Sequence, residues 1–266
     1  MLLIKSEPYH GYHPVVAPHN GTLQWLTMAL LKLSPGESYT GETQGQEQVF
    51  VLMEGQFAMT VGRETFRGKR ASVFTERATA VYLPPHTVYD VQNTGAEVME
   101  AAVAGTPATD AYAPFIVTPD MVAVRRVGQK NWARTVQDIV VNNVSHPVSR
   151  IVVGETLNDA GNWSGYPPHK HDHYVPGVEA QMEELYHFRV LPKQGFGTQL
   201  HYRKDLDEFH AYVVRDGDTF MIPNGYHPVV AAGGYQLYYL WMMAGERDRV
   251  LMPHEDADHV WVKEER

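Results

Sequence analysis

Tyr166-Pro167-Pro168-His169-Lys170-His171-Asp172 is the stretch on which the reading of this 266-residue chain turns. Along a β-strand, residues two apart share a face, so His169 and His171 point one way and Lys170 the other. Two imidazoles on one face begin a divalent-metal site, which a carboxylate and a third imidazole from neighbouring strands would complete. Both are present downstream. Glu184 stands before Leu185-Tyr186-His187, and His227 ends Pro223-Asn224-Gly225-Tyr226-His227. A buried charge is costly unless paired or bound to metal, which makes Glu184, at the start of an apolar strand, the carboxylate candidate. Glu183 is its rival, and its opposite parity points it outward if Glu184 points in.

Working outward, most of the chain reads as short strands bounded by Gly, Pro or Asn. In the first half these are Val49–Met53, Phe57–Val61, Ala80–Leu83 and Val98–Val103. In the second half they are Leu185–Val190, Gly197–Tyr202, Ala211–Val214, Thr219–Ile222 and Gln236–Met243. Such spacing, with no long helical period, predicts an all-β sandwich or barrel with few short helices. The halves also share an order of features: a Glu opening a strand, a Gly turn, then a His after Pro. Glu47 to His86 spans 39 positions and Glu184 to His227 spans 43, which points to an internal duplication. Pro107–Gly128 reads as the linker, giving units 1–118 and 119–266.

Composition limits the chemistry. There is no Cys, so thiolate catalysis, disulfides and Cys-ligated metal are excluded. Lys and Arg total 22 against 31 Asp and Glu, a net charge of −9, and no basic run exists to hold nucleic acid. Met1-Leu2-Leu3-Ile4 is too short for a signal-peptide core. The apolar stretch near Leu237–Ala244 falls far short of the roughly 20 residues that span a bilayer. A cytoplasmic protein without nucleic-acid or membrane partners is expected, with homo-oligomerisation left open. Seven of the 14 His fall between His169 and His227, where uniform placement would put about three.

The conjunction of His-x-His, Glu and Pro-x-Gly-x-His resembles the cupin superfamily. Within it the chain is most similar to the 5-deoxy-glucuronate isomerase family of inositol catabolism, a bicupin. The likeness rests on Gly161-Asn162-Trp163-Ser164-Gly165-Tyr166-Pro167-Pro168-His169-Lys170-His171-Asp172 and Glu183-Glu184-Leu185-Tyr186. It continues through Gln194–Gly197, Asp216-Gly217-Asp218, Pro223–Val229, Tyr238-Tyr239-Leu240 and Met243-Ala244-Gly245, with weaker matches at Val124-Arg125-Arg126 and Val152–Glu155. One departure stands out. Cupins usually place the Glu a few residues after the second His, whereas here 13 positions separate His171 from Glu184. Pro176 and Gly177 mark the intervening segment as a loop able to close over a pocket.

The resemblance implies two tandem cupin barrels, the first metal-free, since no His-x-His precedes Glu47 and His86 alone cannot hold an ion. It implies a divalent metal, zinc or manganese ahead of iron, held by His169, His171, Glu184 and His227. It also implies isomerisation of 5-deoxy-glucuronate to 2-deoxy-5-keto-gluconate, through an enediol or a hydride shift. Tyr186 shares the parity of Glu184 and is the candidate catalytic side chain, with a barrel-core aromatic as the alternative. A sugar-acid substrate needs local cations in so acidic a protein. Among Lys170, Arg189, Arg203, Arg247 and Arg249, the guanidiniums of Arg189 and Arg203 are favoured for two-pronged carboxylate binding. Competing functions are the related pectin-pathway uronate isomerase, a cupin dioxygenase and a non-catalytic sugar-binding cupin.

Overall fold

The computed structural model describes residues 1–17, 22–247 and 249–264. Among them there is no α-helix; the only helical turns are the 3-10 segments Lys130–Trp132, Lys204–Leu206 and Val260–Lys263. Ala80–Leu83 and Thr219–Ile222 form strands with the expected bounds; Val98–Val103 is shifted to Met99–Pro107, and the remaining expected strands lie within somewhat longer ones. Two expectations change. Val49–Met53 and Phe57–Val61 belong to one continuous strand, Gln46–Val61, with a register shift between Leu52 and Glu54. Gly55 lets the chain through at φ +99°, where an added Cβ would lie 2.6 Å from the Met99 Cα. The expected linker Pro107–Gly128 contains the strands Phe115–Val117 and Ala123–Val127. Phe115 and Val117 alternate inward there and are buried.

Contacts gather the chain into two units. One comprises Glu7–Ala123 with Gln137–Gly154, the other Met1–Ser6, Val124–Val136 and Glu155–Arg266. In the first, the leading part of Gln46–Val61 pairs with Ala80–Leu83 and Met99–Pro107, while its trailing part pairs with Glu64–Arg70 and Val88–Asn93. One strand thereby serves two sheets, which enclose Leu31, Phe50, Phe57, Val81 and Val91. Each such side chain contributes about 1.5–3 kcal/mol on burial. Glu47 is fully buried here, accepting hydrogen bonds from the Tyr82 hydroxyl (2.8 Å) and from the backbone N–H groups of Ser149, Arg150 and Ile151 (3.0, 2.6 and 2.7 Å).

The second unit has a sheet in the order Leu3–Ile4, Thr219–Ile222, Glu183–Leu191, Gln236–Ala244, then the parts 155–158, 134–136 and 124–127 of the strands Val152–Asn158, Arg134–Val140 and Ala123–Val127. A four-stranded sheet runs Trp163–Ser164, Val229–Ala231, Gly197–Arg203, Glu208–Val214, and a small ribbon joins His169–Lys170 to His254–Glu255. Pleating sends alternate residues of each strand to opposite faces, so the larger sheet presents one row of side chains to an interior cavity.

Candidate functional site

Residues from one face of five neighbouring strands line that cavity. Glu183–Leu191 contributes Glu184 and Tyr186; Gln236–Ala244 contributes Tyr239, Trp241 and Met243. Val152–Asn158 adds Thr156, Arg134–Val140 adds Arg134 and Val136, and Ala123–Val127 adds Arg125 and Val127. The register aligns them, with Glu184 opposite Met243 and Tyr186 opposite Trp241. The cavity volume is about 330 Å³, at the lower end of the roughly 300–1,000 Å³ range of small-molecule sites.

At one end, His171, Glu184 and His227 bring a ligand atom each to within 4.8 Å of one another, all three side chains being buried. Glu184 Oε2 lies 3.1 Å from both His171 Nε2 and His227 Nε2. The protons can be placed from the far side of each ring. His227 Nδ1 is 2.8 Å from the Gly225 carbonyl and His171 Nδ1 is 2.6 Å from the Met182 carbonyl. A carbonyl only accepts, so both Nδ1 atoms donate, and whenever a ring is neutral its Nε2 lone pair faces the carboxylate. His227 Nε2 is buried and has no hydrogen-bond partner. Burial raises the Glu184 carboxyl pKa, but contacts with His171 and His227 outweigh it and bring it to about 2, so the group is ionised. Without a cation, burial lowers the His171 pKa, and the Glu184 contact overturns this and raises it. Converging lone pairs, each oriented by a hydrogen bond behind it, fit a divalent metal ion.

His169 lines the same cavity and lies beside this group rather than within it, its ring centroid 4.9 Å from that of His227 and 6.4 Å from that of His171. The ribbon strand stops at Lys170, so His171 does not continue the strict alternation expected of a longer strand. Burial, followed by the neighbouring imidazoles, lowers the His169 pKa to about 3 and keeps the ring neutral. Glu183 is on the other face of its strand and does not line the cavity.

The intervening loop is tied down at several points. Glu179 accepts from the backbone N–H groups of Asp172 (2.5 Å) and His173 (2.9 Å), and Lys170 Nζ lies 3.1 Å from both its oxygens. Lys170 therefore serves the loop, outside the cavity lining. Ala180 N donates to the Met252 carbonyl at 2.9 Å, and Ala180, Met182, Leu251, Met252 and Pro253 wall the cavity. Asp172 Oδ1 accepts from Gly225 N at 2.7 Å, joining the His-x-His stretch to the turn that carries His227. Gly225 has φ +82°, and a Cβ there would meet His201 Nε2 at 2.9 Å and the Tyr202 carbonyl at 3.0 Å.

The cavity's cations differ from those expected. Arg189 is five residues beyond Glu184, and the odd interval puts it on the opposite face of the strand. A Cβ on Gly217 would lie 3.4 Å from its Nη1, away from the cavity lining. Arg203, at the end of Gly197–Arg203, pairs with Asp205 at 2.9 Å and also lies outside the lining. Arg134 and Arg125 take their place. Arg125 fell within a weak motif, but no local signal marks Arg134, which reaches the site only through long-range sheet pairing. Tyr186 does line the cavity, its ring centroid 4.3 Å from that of Tyr239, whose hydroxyl bonds to Ser164. Burial, then the charge of Glu184, raises the Tyr186 pKa well above the phenol range, so the hydroxyl keeps its proton.

The KduI/IolB family profile matches residues 2–262. A protein of Geobacillus thermodenitrificans named 5-deoxy-glucuronate isomerase is 34% identical over 254 residues, covering 94% of this chain and 91% of that protein. A Listeria monocytogenes protein of the same name is 34% identical, covering 92% of this chain and 90% of its own. The crystal structure of an IolB-like protein from Salmonella typhimurium superposes with a TM-score of 0.92 at 31% identity, covering 99% of both chains. Bacillus subtilis oxalate decarboxylase shares the cupin fold at a TM-score of 0.64 and 11% identity, covering 96% of this chain and 79% of its own. The fold is therefore the all-β, cupin-type architecture that the sequence predicts.

Proposed function

The chain belongs to the KduI/IolB family, and from that premise we propose that it is a metal-dependent isomerase converting 5-deoxy-glucuronate to 2-deoxy-5-keto-gluconate in inositol breakdown. The observation that carries this reading is the convergence of two imidazole Nε2 atoms on the ionised Glu184 inside a substrate-sized cavity. The proposed ligands are His171, Glu184 and His227, with His169 reaching in as the fourth. Nitrogen and carboxylate donors without thiolate suit zinc or manganese, the ions proposed here ahead of iron. A divalent ion bound there supplies a Lewis acid for the oxygens of an open-chain sugar.

The reaction is redox-neutral. The aldehyde carbon gains the hydrogen that its hydroxyl-bearing neighbour loses, while the proton of the neighbour's hydroxyl passes to the aldehyde oxygen, leaving a ketone beside a primary alcohol. Glu184 and the imidazoles balance charge at this end of the cavity. Tyr186 shares the strand face of Glu184 and retains its proton, so it serves as a hydrogen-bond donor to a substrate oxygen rather than as the base. Tyr239, Trp241 and Met243 give the chamber a largely apolar wall that excludes water from the reacting carbons. Among the described residues no helix is long and apolar enough to cross a membrane, and the proposed site of action is the cytoplasm.

The test is turnover of 5-deoxy-glucuronate by the purified protein, followed by formation of the keto acid. Activity abolished by chelator and restored by zinc or manganese supports the reading. Turnover unaffected by thorough chelation, or preference for the pectin-derived uronate, overturns it.

A further inference from the structure

Arg134 lines the cavity without a contact ion pair among the described residues, Glu255 acting on it only from a longer range. It starts the strand Arg134–Val140, and its Nη1 donates to the backbone carbonyls of Trp132 (3.2 Å) and Tyr166 (3.0 Å). Among the described residues no carboxylate lies within ion-pair distance of it, and neither Nε nor Nη2 makes a hydrogen bond. Two carbonyls thus fix one corner of the guanidinium and leave the Nε–Nη2 edge free. That edge has the two parallel donors that receive a carboxylate in a planar, bidentate pair. A partly buried cation with no carboxylate in contact is costly, and a bound anion relieves the cost.

Its surroundings place it within the chamber. Arg134 lines the cavity together with Glu184, Tyr186 and Tyr239, and its charge acts on Tyr186, Tyr239 and His169. Burial lowers its own pKa, yet a guanidinium remains charged throughout the working pH range. Arg125 also lines the cavity, from the neighbouring strand, and is exposed.

Resting on the isomerase reading above, we infer that Arg134 is the residue that receives the carboxylate of the sugar acid, with Arg125 reinforcing it from the solvent side. The substrate then lies with its carbonyl end toward His171, Glu184 and His227 and its acid end on Arg134. One fully engaged guanidinium suits a monoanionic carboxylate. The protein's net charge of −9 offers no long-range attraction for such an anion, so discrimination against neutral aldoses rests on this contact. Arg134 acts as a binding and specificity residue and takes no part in proton transfer.

The experiment compares the metal-loaded wild type with Arg134→Gln and Arg134→Lys on 5-deoxy-glucuronate and on its neutral counterpart, 5-deoxy-glucose. In Arg134→Gln, kcat/KM for the acid is expected to fall by about 10²-fold or more, mostly through KM, the scale of a lost bidentate charge-assisted pair. Arg134→Lys recovers part of this by restoring charge without the fork. Activity on the neutral sugar is expected to stay within about threefold, with metal content unchanged. An equal loss on both sugars, or no loss on the acid, overturns the inference.

Calorimetric titration with gluconate and with the neutral alditol sorbitol separates this from the isomerase reading. If the wild type turns over neither sugar, that reading fails, and the titration alone decides the role of Arg134. Preference for gluconate that disappears in Arg134→Gln supports it. Equal binding of both ligands to the wild type, or a preference that survives the substitution, overturns it.

Discussion

His227 Nε2 stands 3.1 Å from Glu184 Oε2, and with the ring neutral neither atom has a proton to share. The Nδ1 proton of His227 is committed to the Gly225 carbonyl, and Glu184 is ionised. Two acceptors facing each other in a buried site repel unless a cation lies between them or the imidazole takes a second proton. Replacing His227 with Ala, or Glu184 with Gln, is therefore expected to reduce metal from about one ion per chain to near zero. Elemental analysis of the purified variants checks this, with circular dichroism confirming that the β fold is kept. Full metal retention in both variants would sink the ligand assignment.

Proton competition gives the same site a pH signature. The pKa of His171 is raised in the metal-free protein, because the effect of Glu184 outweighs burial. Metal must displace that proton, so affinity is expected to increase with pH until His171 is deprotonated in the free protein, and then to level off. Zinc titrations in buffers of different ionisation enthalpy measure the proton release directly. A metal affinity independent of pH across the histidine range contradicts the arrangement.

Tyr186 is expected to affect turnover without affecting the metal. It lines the cavity beside Tyr239, and its hydroxyl remains protonated. Tyr186→Phe keeps the ring in place and removes only the donor. A positioned proton donor contributes about 10²–10⁴-fold, so kcat is expected to fall by at least about 10²-fold with full metal content. Steady-state kinetics alongside elemental analysis decide this. A change confined to stability assigns the tyrosine to the barrel core instead.

The matched positions Glu47 and Glu184 show how much the sequence revealed and where it stopped. Both open strands and both are buried, and the order of Gly turn and His that follows is the same. No His-x-His precedes Glu47, and its carboxylate is taken up by the Tyr82 hydroxyl and by backbone donors. What the sequence did not reveal is the partner of Glu47, the N–H groups of Ser149, Arg150 and Ile151 about a hundred positions away. The cations followed the same pattern. Strand parity was enough to exclude Arg189, whereas Arg134 reaches Glu184 only because Gln236–Ala244 and Val152–Asn158 lie between their strands. Parity is local and can be read from a chain; the order of strands in a sheet is not.

Glu47→Ala accordingly has a different expected outcome from any change at Glu184. It strands the buried backbone donor of Ile151 and the partly buried ones of Ser149 and Arg150; a buried donor left unpaired costs about 1–3 kcal/mol, so the variant is expected to lose at least that much stability. Urea unfolding measures the loss, and the metal content of the folded fraction is expected to remain at the wild-type level. Loss of metal without loss of stability would reverse the roles given to the two glutamates.

Glu179 governs how the loop over the cavity responds to acid. Burial raises its pKa, but the N–H groups of His173 and Asp172 and the Lys170 ammonium outweigh this, and the net shift is downward. A carboxyl with a lowered folded-state pKa contributes stability that is complete above its unfolded value and is lost as pH falls through the folded one. Hydrogen bonds to a charged group are worth about 1.5–3 kcal/mol. With chelator present throughout, wild type is therefore expected to exceed Glu179→Gln by about that amount near neutral pH, the gap closing as pH drops below the ordinary carboxylate range. Urea denaturation of both proteins at stepped pH values gives the difference directly. A gap that stays constant into acid would mean that Glu179 acts through shape alone, and that Lys170 and the two backbone donors do not depend on its charge.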